Sequence, residues 1–91
     1  MAVDWSKRGE YIAKRPGMTP AVANEALADP DALVLDPDPA SRSGVSVRTI
    51  GFSTTFGALV TVLTVEEDGT VFGLNAWPSN KTDARKYREK E

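Results

Sequence analysis

Hydrophobic and polar residues alternate most regularly in three runs in the second half of the chain, at residues 45–53, 57–65 and 70–76. Each run has the length of a strand, is rich in Val, Thr, Ile and Phe, and is bounded by Gly or acidic residues. The middle run is apolar on both faces, since Val60 and Val62 alternate with other aliphatic residues, and this predicts a central strand covered on both sides. In the last run, alternation predicts Phe72 and Ala76 on one face and Gly73 on the other. Because an Asp-Gly pair, typical of a hairpin turn, follows the middle run, we predict an antiparallel three-stranded meander.

Two helices are predicted before this meander. Residues 4–15 place Trp5 and Ile12 seven positions apart on one helical face, and a Pro-Gly pair ends the segment. The second helix begins at Thr19 and Pro20, because Thr is a favoured N-cap and Pro is favoured at the first helical position. An Asp-Pro pair ends it.

The remaining elements complete an α+β pattern. Residues 32–35 alternate as a short fourth strand would, and a last helix is predicted after Asn80, which can cap it, with Asp83 in its first turn. Helices at both ends with strands in one block indicate an antiparallel sheet of three to four strands, with two N-terminal helices and one C-terminal helix packed on it.

Composition narrows the chemistry that is available. The chain has 91 residues, predicted as a single domain over residues 1–91, with a net charge of −2 and neither Cys nor His. The commonest general base and the commonest metal ligands are therefore missing, and we expect no metal site. No apolar run reaches the roughly 18 residues of a membrane span, and no signal peptide is evident, so we expect a soluble cytoplasmic protein.

A series of short motifs runs through nearly the whole chain: Trp5-x-Lys7, Lys14-Arg15, Asp29-Pro30, Arg48-x-Ile50-Gly51-Phe52-Ser53, Gly69, Asn75-Ala76 and Asp83-x-Arg85-x-Tyr87. In their order and spacing these motifs resemble the BrnT family of bacterial toxins, small ribonucleases of type II toxin–antitoxin systems. The resemblance implies a RelE-like fold, cleavage of messenger RNA or arrest of translation, and a cognate BrnA-like, DNA-binding antitoxin. It implies no metal or organic cofactor.

Two positions depart from the family pattern. The family has His before the glycine of the first loop, where this chain has Pro16, and Ser-Ala-Arg at the end of the last strand, where it has Asn75-Ala76-Trp77. A His and a basic side chain are thus lost from places where the family would bring them near substrate. We expect either a weakened or inactive nuclease or a branch with altered specificity.

Four residues are candidates for catalysis. Metal-independent RNA cleavage needs a base near the 2′-hydroxyl, cations around the phosphate and an acid for the leaving oxygen. RelE-like sheets hold substrate on the face away from the helices, so Arg48, in the middle of a strand, is a candidate to contact phosphate. On the last helix, Arg85 is a candidate to hold phosphate, Tyr87 to donate a proton, and Asp83 shares a face with Tyr87.

Each of these residues also has a structural interpretation. Arg48 could instead be an exposed strand residue or form an ion pair with Asp36 or Glu66. Tyr87 could pack the helix onto the sheet, and Arg85 could be solvated.

Six further residues are candidates for RNA binding: Lys7, Lys14, Arg15, Arg42, Asn75 and Trp77. The basic residues could form a phosphate-binding rim, or they could simply lie on the solvent-exposed face of a helix. Trp77 could stack on an RNA base, pack in the hydrophobic core or contact the antitoxin. The acidic residues between 25 and 38 would repel RNA and could offer a surface to a basic antitoxin segment.

Two functions follow. The first is a BrnT-type toxin that cleaves messenger RNA. The alternative is a non-catalytic interaction module on the same fold, which binds an antitoxin or RNA without cleaving. An exposed edge of the meander could also pair two copies into a homodimer.

Overall fold

The computed structural model describes residues 3–41 and 44–90. Seven elements follow one another along the chain: α1 Gly9–Ile12, α2 Pro20–Ala28, β1 Leu33–Leu35, β2 Ser46–Ser53, β3 Ala58–Glu67, β4 Thr70–Pro78 and α3 Lys81–Glu89. The strands form one antiparallel sheet in the order β1-β2-β3-β4, so each strand pairs with its neighbour along the chain. The predicted α+β fold, with two early helices and one C-terminal helix around an antiparallel sheet, is confirmed.

Helices cover both faces of the sheet. On β2, Gly51 lies directly under α2, and a Cβ atom there would collide with the Ala26 carbonyl. The opposite face of the same strand carries Arg48, which donates a hydrogen bond to Asp83 of α3. We call these the α1/α2 face and the α3 face. The expectation that one face would be free of helices is therefore wrong, because α3 folds back over β2.

The main hydrophobic core lies on the α1/α2 face. It comprises nine buried residues: Trp5, Ile12, Met18, Val22, Ala23, Ala26, Val60, Val62 and Ala76. On the α3 face, Ile50 of β2 and Thr61 of β3 are each fully buried. The prediction that the middle run forms a central strand is therefore confirmed, but its cover is unequal: on the α3 face of β3, Thr61 is fully buried whereas Leu59, Leu63 and Val65 are only partly buried.

The first predicted helix is much shorter than residues 4–15. Asp4 instead pairs with the outer edge of β4: its N–H donates to Val71 O over 2.8 Å, and its carbonyl accepts from Gly73 N over 2.9 Å. Trp5 is buried as expected, but it reaches the core from an extended segment and not from a helix. The backbone groups at the β4 edge need partners, and this pairing supplies them in place of helical hydrogen bonds.

A β-bulge changes the predicted alternation of β4. The β3–β4 register shifts between Leu63 and Thr64, so that Thr64 pairs with Gly73 and Leu63 with Asn75. Gly73 and Ala76 therefore share the α1/α2 face, contrary to the strict alternation predicted from the sequence. Glycine is required here because a Cβ would lie 2.5 Å from the ring of Trp5.

The two long helices begin where the sequence predicts. Thr19 Oγ1 accepts from Val22 N at the start of α2, and Asn80 Oδ1 accepts from Asp83 N at the start of α3. Each of these helices has nine residues, and none of the helices within 3–41 and 44–90 has the length and apolar character needed to cross a membrane.

Candidate functional site

Three charged side chains from distant parts of the chain meet on the α3 face. Arg48 of β2 donates from Nε to Asp38 Oδ1 over 2.9 Å and from Nη1 to Asp83 Oδ2 over 2.8 Å. The side chains of the two aspartates are 3% exposed and that of Arg48 is 15% exposed. Distances this short are typical of charge-assisted hydrogen bonds. We call these three residues the Arg48 cluster.

Hydroxyl groups extend the cluster across the sheet. Thr61 Oγ1 of β3 donates to Asp83 Oδ2 over 3.0 Å and lies 2.8 Å from Ser79 Oγ. Because a carboxylate only accepts and Thr61 has one hydroxyl proton, Ser79 donates to Thr61. Asp38 also accepts from Ala40 N, at 3.0 Å. Throughout the described ranges, every buried side-chain nitrogen and oxygen has a hydrogen-bond partner.

Trp77 lies beside the Arg48 guanidinium. Arg48 Cζ lies 5.5 Å from the centre of the Trp77 ring, within the range of a cation–π contact. Trp77 stands where the BrnT pattern has a basic residue. An aromatic ring therefore lies beside Arg48 at a position where a second cation would repel it. A phosphate would have to compete with both carboxylates for Arg48. The predicted ion pair of Arg48 exists, but with Asp38 and Asp83, and not with Asp36 or Glu66.

Tyr87 belongs to a second group at the sheet edge. Its hydroxyl donates to Asp29 Oδ2 over 2.6 Å, and Phe52 N donates to the same oxygen over 2.8 Å. Burial opposes ionisation of Asp29, but hydrogen bonds from Tyr87, Phe52 and Asp31 outweigh it and lower the pKa of the carboxyl. The hydrogen bond to Asp29, together with burial and the Asp29 charge, raises the pKa of Tyr87 to about 12. Such a phenol is a weak proton donor at neutral pH.

Glu25 forms a third polar group, which the sequence analysis missed. It accepts from the Thr55 hydroxyl at 2.6 Å, from Thr55 N at 2.8 Å and from the Ser53 hydroxyl at 2.7 Å. These hydrogen bonds, from Thr55 first, lower the pKa of Glu25. The contacts fasten α2 to the β2–β3 turn. The signal in the sequence is the Ser-Thr-Thr run in that turn, which needs an acceptor.

Two of the predicted RNA-binding residues contact each other. Arg15 Nη1 donates to Asn75 Oδ1 over 3.0 Å and to the Ala76 carbonyl over 3.2 Å, which ties the segment that follows α1 to β4. Lys7 Nζ lies 3.9 Å from Glu67 Oε1 and 4.3 Å from the centre of the Phe72 ring. These contacts hold the N-terminal segment against β4.

The other basic residues that are candidates for RNA binding lie away from these contacts. Lys14 is exposed, and Arg42 lies outside the described residues. On α3, Lys81, Arg85 and Arg88 are exposed and spaced four and three positions apart, which places them on one helical face. We call these three residues the α3 basic strip.

The predicted catalytic residues are therefore divided among different environments. Arg48 and Asp83 lie together in the Arg48 cluster, Tyr87 is bonded to Asp29, and Arg85 faces solvent. Within 3–41 and 44–90, no three carboxylates are grouped so that they could hold a metal ion. The arrangement is suited to holding α3 on the sheet and to presenting its basic strip.

Comparisons of the sequence with models of protein families and with curated proteins found no match.

Proposed function

We propose that this chain is the toxin member of a type II toxin–antitoxin pair of the BrnT type, a cytoplasmic, metal-independent ribonuclease that cleaves messenger RNA and arrests translation and growth. One observation supports the proposal most. Residues that carry the sequence resemblance contact one another. Arg48 donates a hydrogen bond to Asp83. Tyr87 and Phe52 both donate hydrogen bonds to the same oxygen of Asp29. These contacts bring motifs from distant parts of the chain into two polar groups of one folded domain.

The α3 basic strip supports RNA as the ligand. Its three exposed cations follow one helical face, and the acids nearest to them along α3 are Asp83, which is turned into the sheet, and Glu89. Closely spaced cations attract the phosphate backbone without sequence preference. In this proposal Arg85 binds phosphate, whereas Arg48 and Asp83 position α3 and do not touch the reacting atoms.

A second function is favoured by a specific observation. Three of the four candidate catalytic side chains are already engaged, because Arg48 lies between two carboxylates, Asp83 is 2% exposed and the pKa of Tyr87 is raised to about 12. A protein with no free acid or base at this place would bind RNA or an antitoxin without cutting. This alternative is the non-catalytic interaction module, which could also assemble as a homodimer.

Induced expression separates the two functions. We would compare growth and total RNA in cells that express the wild type, the double variant Arg85→Gln/Arg88→Gln and the control Glu89→Gln, which changes a neighbouring exposed residue. The toxin proposal expects growth arrest and RNA loss with the wild type and the control, and at least tenfold less RNA loss with the double variant.

A purified-protein assay completes the test. Incubation with messenger RNA in the presence of a chelator should still give cleavage, because no metal takes part in the proposed reaction. Intact RNA from folded wild-type protein, both in cells and with purified protein, would contradict the ribonuclease proposal. If RNA or a co-expressed antitoxin were bound under those conditions, the interaction module would be supported.

A further inference from the structure

A groove opens on the α1/α2 face where the two helices leave the sheet uncovered. Its volume is about 400 Å³, and α2 and all four strands contribute to its walls. Its lining includes four larger aliphatic residues: Leu27, Val34, Val47 and Val71. A sheet face is normally covered by another layer of structure, and within residues 3–41 and 44–90 no such layer covers this end of the sheet.

Two valines on this side of the sheet are largely exposed. Val34, on the edge strand β1, is 56% exposed, and Val45, just before β2, is 60% exposed. Val34 lines the groove, and Val45 precedes another lining residue, Val47, by two positions. Exposed aliphatic side chains that cluster at an apolar groove can mark an interaction site, whereas single exposed valines are ordinary.

The charges at the groove have one sign. Asp36 and Glu66 are the charged side chains that line it, and both are exposed. Neither forms an ion pair with any residue in 3–41 or 44–90. Glu66 is followed by Glu67 and Asp68 in the β3–β4 turn, which adds negative potential on that side.

The two acids stand on opposite sides of the groove. Asp36 directly follows β1, whereas Glu66 lies at the end of β3, and β2 runs between these two strands. Neighbouring strands lie about 4.8 Å apart, so the backbones that carry the two carboxylates are separated by roughly 10 Å. A ligand with an apolar centre and a cation on each side would match this spacing.

We propose that this groove binds a segment of a partner polypeptide that presents aliphatic side chains flanked by Lys or Arg. The aliphatic side chains occupy the surface formed by Leu27, Val34, Val47 and Val71, and the flanking cations pair with Asp36 and Glu66. The groove lies on the face of the sheet opposite α3, so the inference does not depend on RNA cleavage. A second copy of this chain fits less well, because the α3 basic strip has only the small Ala84 as an aliphatic side chain between its cations.

Fluorescence anisotropy with the full chain tests the proposal. The probe is a labelled eight-residue peptide with a central Leu-Val-Leu-Val flanked by two Lys on each side and capped at both ends. The first comparison peptide has Glu in place of Lys, and the second keeps Lys but has Ser in place of the aliphatic centre. We expect the Lys-flanked probe to bind at least tenfold more tightly than either comparison peptide.

Variants of the protein locate the binding. Asp36→Asn/Glu66→Gln should weaken binding of the Lys-flanked peptide at least tenfold, and Val34→Ser should weaken it several-fold. Val34 is already largely exposed, so its replacement should leave folding intact. Glu10→Gln, which removes an exposed acid on α1, is the matched control and should change the affinity by less than twofold.

Three results would overturn the inference: no binding of the Lys-flanked peptide at millimolar concentration, equal binding of the Lys- and Glu-flanked peptides, or equal binding by the groove variants and the wild type. A fourth would assign the groove to a second copy of the chain. That result would be a dimer of the wild type, detected by sedimentation in the absence of peptide, which becomes a monomer in Asp36→Asn/Glu66→Gln.

Discussion

The guanidinium of Arg48 donates from Nη1 to Oδ2 of Asp83 over 2.8 Å, although 35 positions separate the two residues. The contact joins the middle of β2 to the first turn of α3, and a second carboxylate, Asp38, holds the same guanidinium from the other side. A buried ionic group of this kind contributes little when complete but is costly to break, because a lost partner leaves uncompensated charge. Loss of one member of the Arg48 cluster should therefore be strongly destabilising.

Replacing Arg48 tests this role. Arg48→Met leaves the buried carboxylates of Asp38 and Asp83 without their cation, and we expect the free energy of unfolding to fall by roughly 3–5 kcal/mol. Urea denaturation followed by circular dichroism measures it. Arg85→Met is the matched control, because Arg85 is exposed, and should change the value by less than about 0.5 kcal/mol. Similar losses in the two variants would contradict the structural role of Arg48.

Gly51 sets how closely α2 approaches the sheet. In Gly51→Ala the added Cβ collides with the Ala26 carbonyl, which is backbone and cannot rotate away, so α2 must shift. We expect a loss of about 3 kcal/mol or more, at the upper end of overpacking effects. Gly57→Ala is the control: its φ of 79° is strained for alanine, but nothing lies near the new atom, and a loss of roughly 1 kcal/mol is expected. Thermal unfolding should rank Gly51→Ala well below Gly57→Ala, and the reverse order would refute the close packing.

Glu25 should make stability depend on acid pH. Its pKa is lowered in the folded protein by the hydrogen bonds from Thr55 and Ser53, so the stabilisation is present above the ordinary Glu value of 4.5 and is lost as pH falls through the lowered folded value. In urea titrations from pH 7 to pH 3, the difference in stability between the wild type and Glu25→Gln should shrink below about pH 4.5. Glu10→Gln, at an exposed residue on α1, should follow the wild type throughout. A constant difference for Glu25→Gln would show that the carboxylate does not hold the turn.

Tyr87 should lose its phenolic proton at an unusually high pH. Its pKa is raised from 10 to about 12, so its contribution to stability is complete below pH 10 and is lost as pH rises through about 12. Subtracting the tyrosinate absorbance titration of Tyr87→Phe from that of the wild type should leave a step centred near 12. At neutral pH, Tyr87→Phe should lower stability by about 1 kcal/mol, the usual value of one hydrogen bond. A step near 10 would mean that the hydrogen bond to Asp29 is absent in solution.

The sequence predicts those features that depend on neighbouring residues. The meander follows from alternation and from the Asp-Gly turn, and the starts of α2 and α3 follow from Thr19 and Asn80, whose side chains cap the helix within three positions. Each of these signals is contained in a few consecutive residues.

Features that depend on tertiary contacts are not predictable in the same way. The charge of Arg48 in the middle of a strand indicates an unusual environment, but nothing local identifies Asp38 and Asp83 as its partners. The pattern of residues 4–15 favours a helix, and the open edge of β4 overrides it by pairing with Asp4. The bulge beside Thr64 is likewise set by how Trp5 packs on Gly73, which local alternation does not record.

The order of the strands in the sheet has a consequence for folding. Since each strand pairs with the one beside it along the chain, the sheet can grow hairpin by hairpin through local contacts, a topology associated with rapid folding. Arg48 meets Asp38, ten positions earlier, within this first stage, whereas Asp83 is synthesised only after the whole sheet. We therefore expect docking of α3 to be the closing step, which completes the neutralisation of a charge on the sheet beneath it.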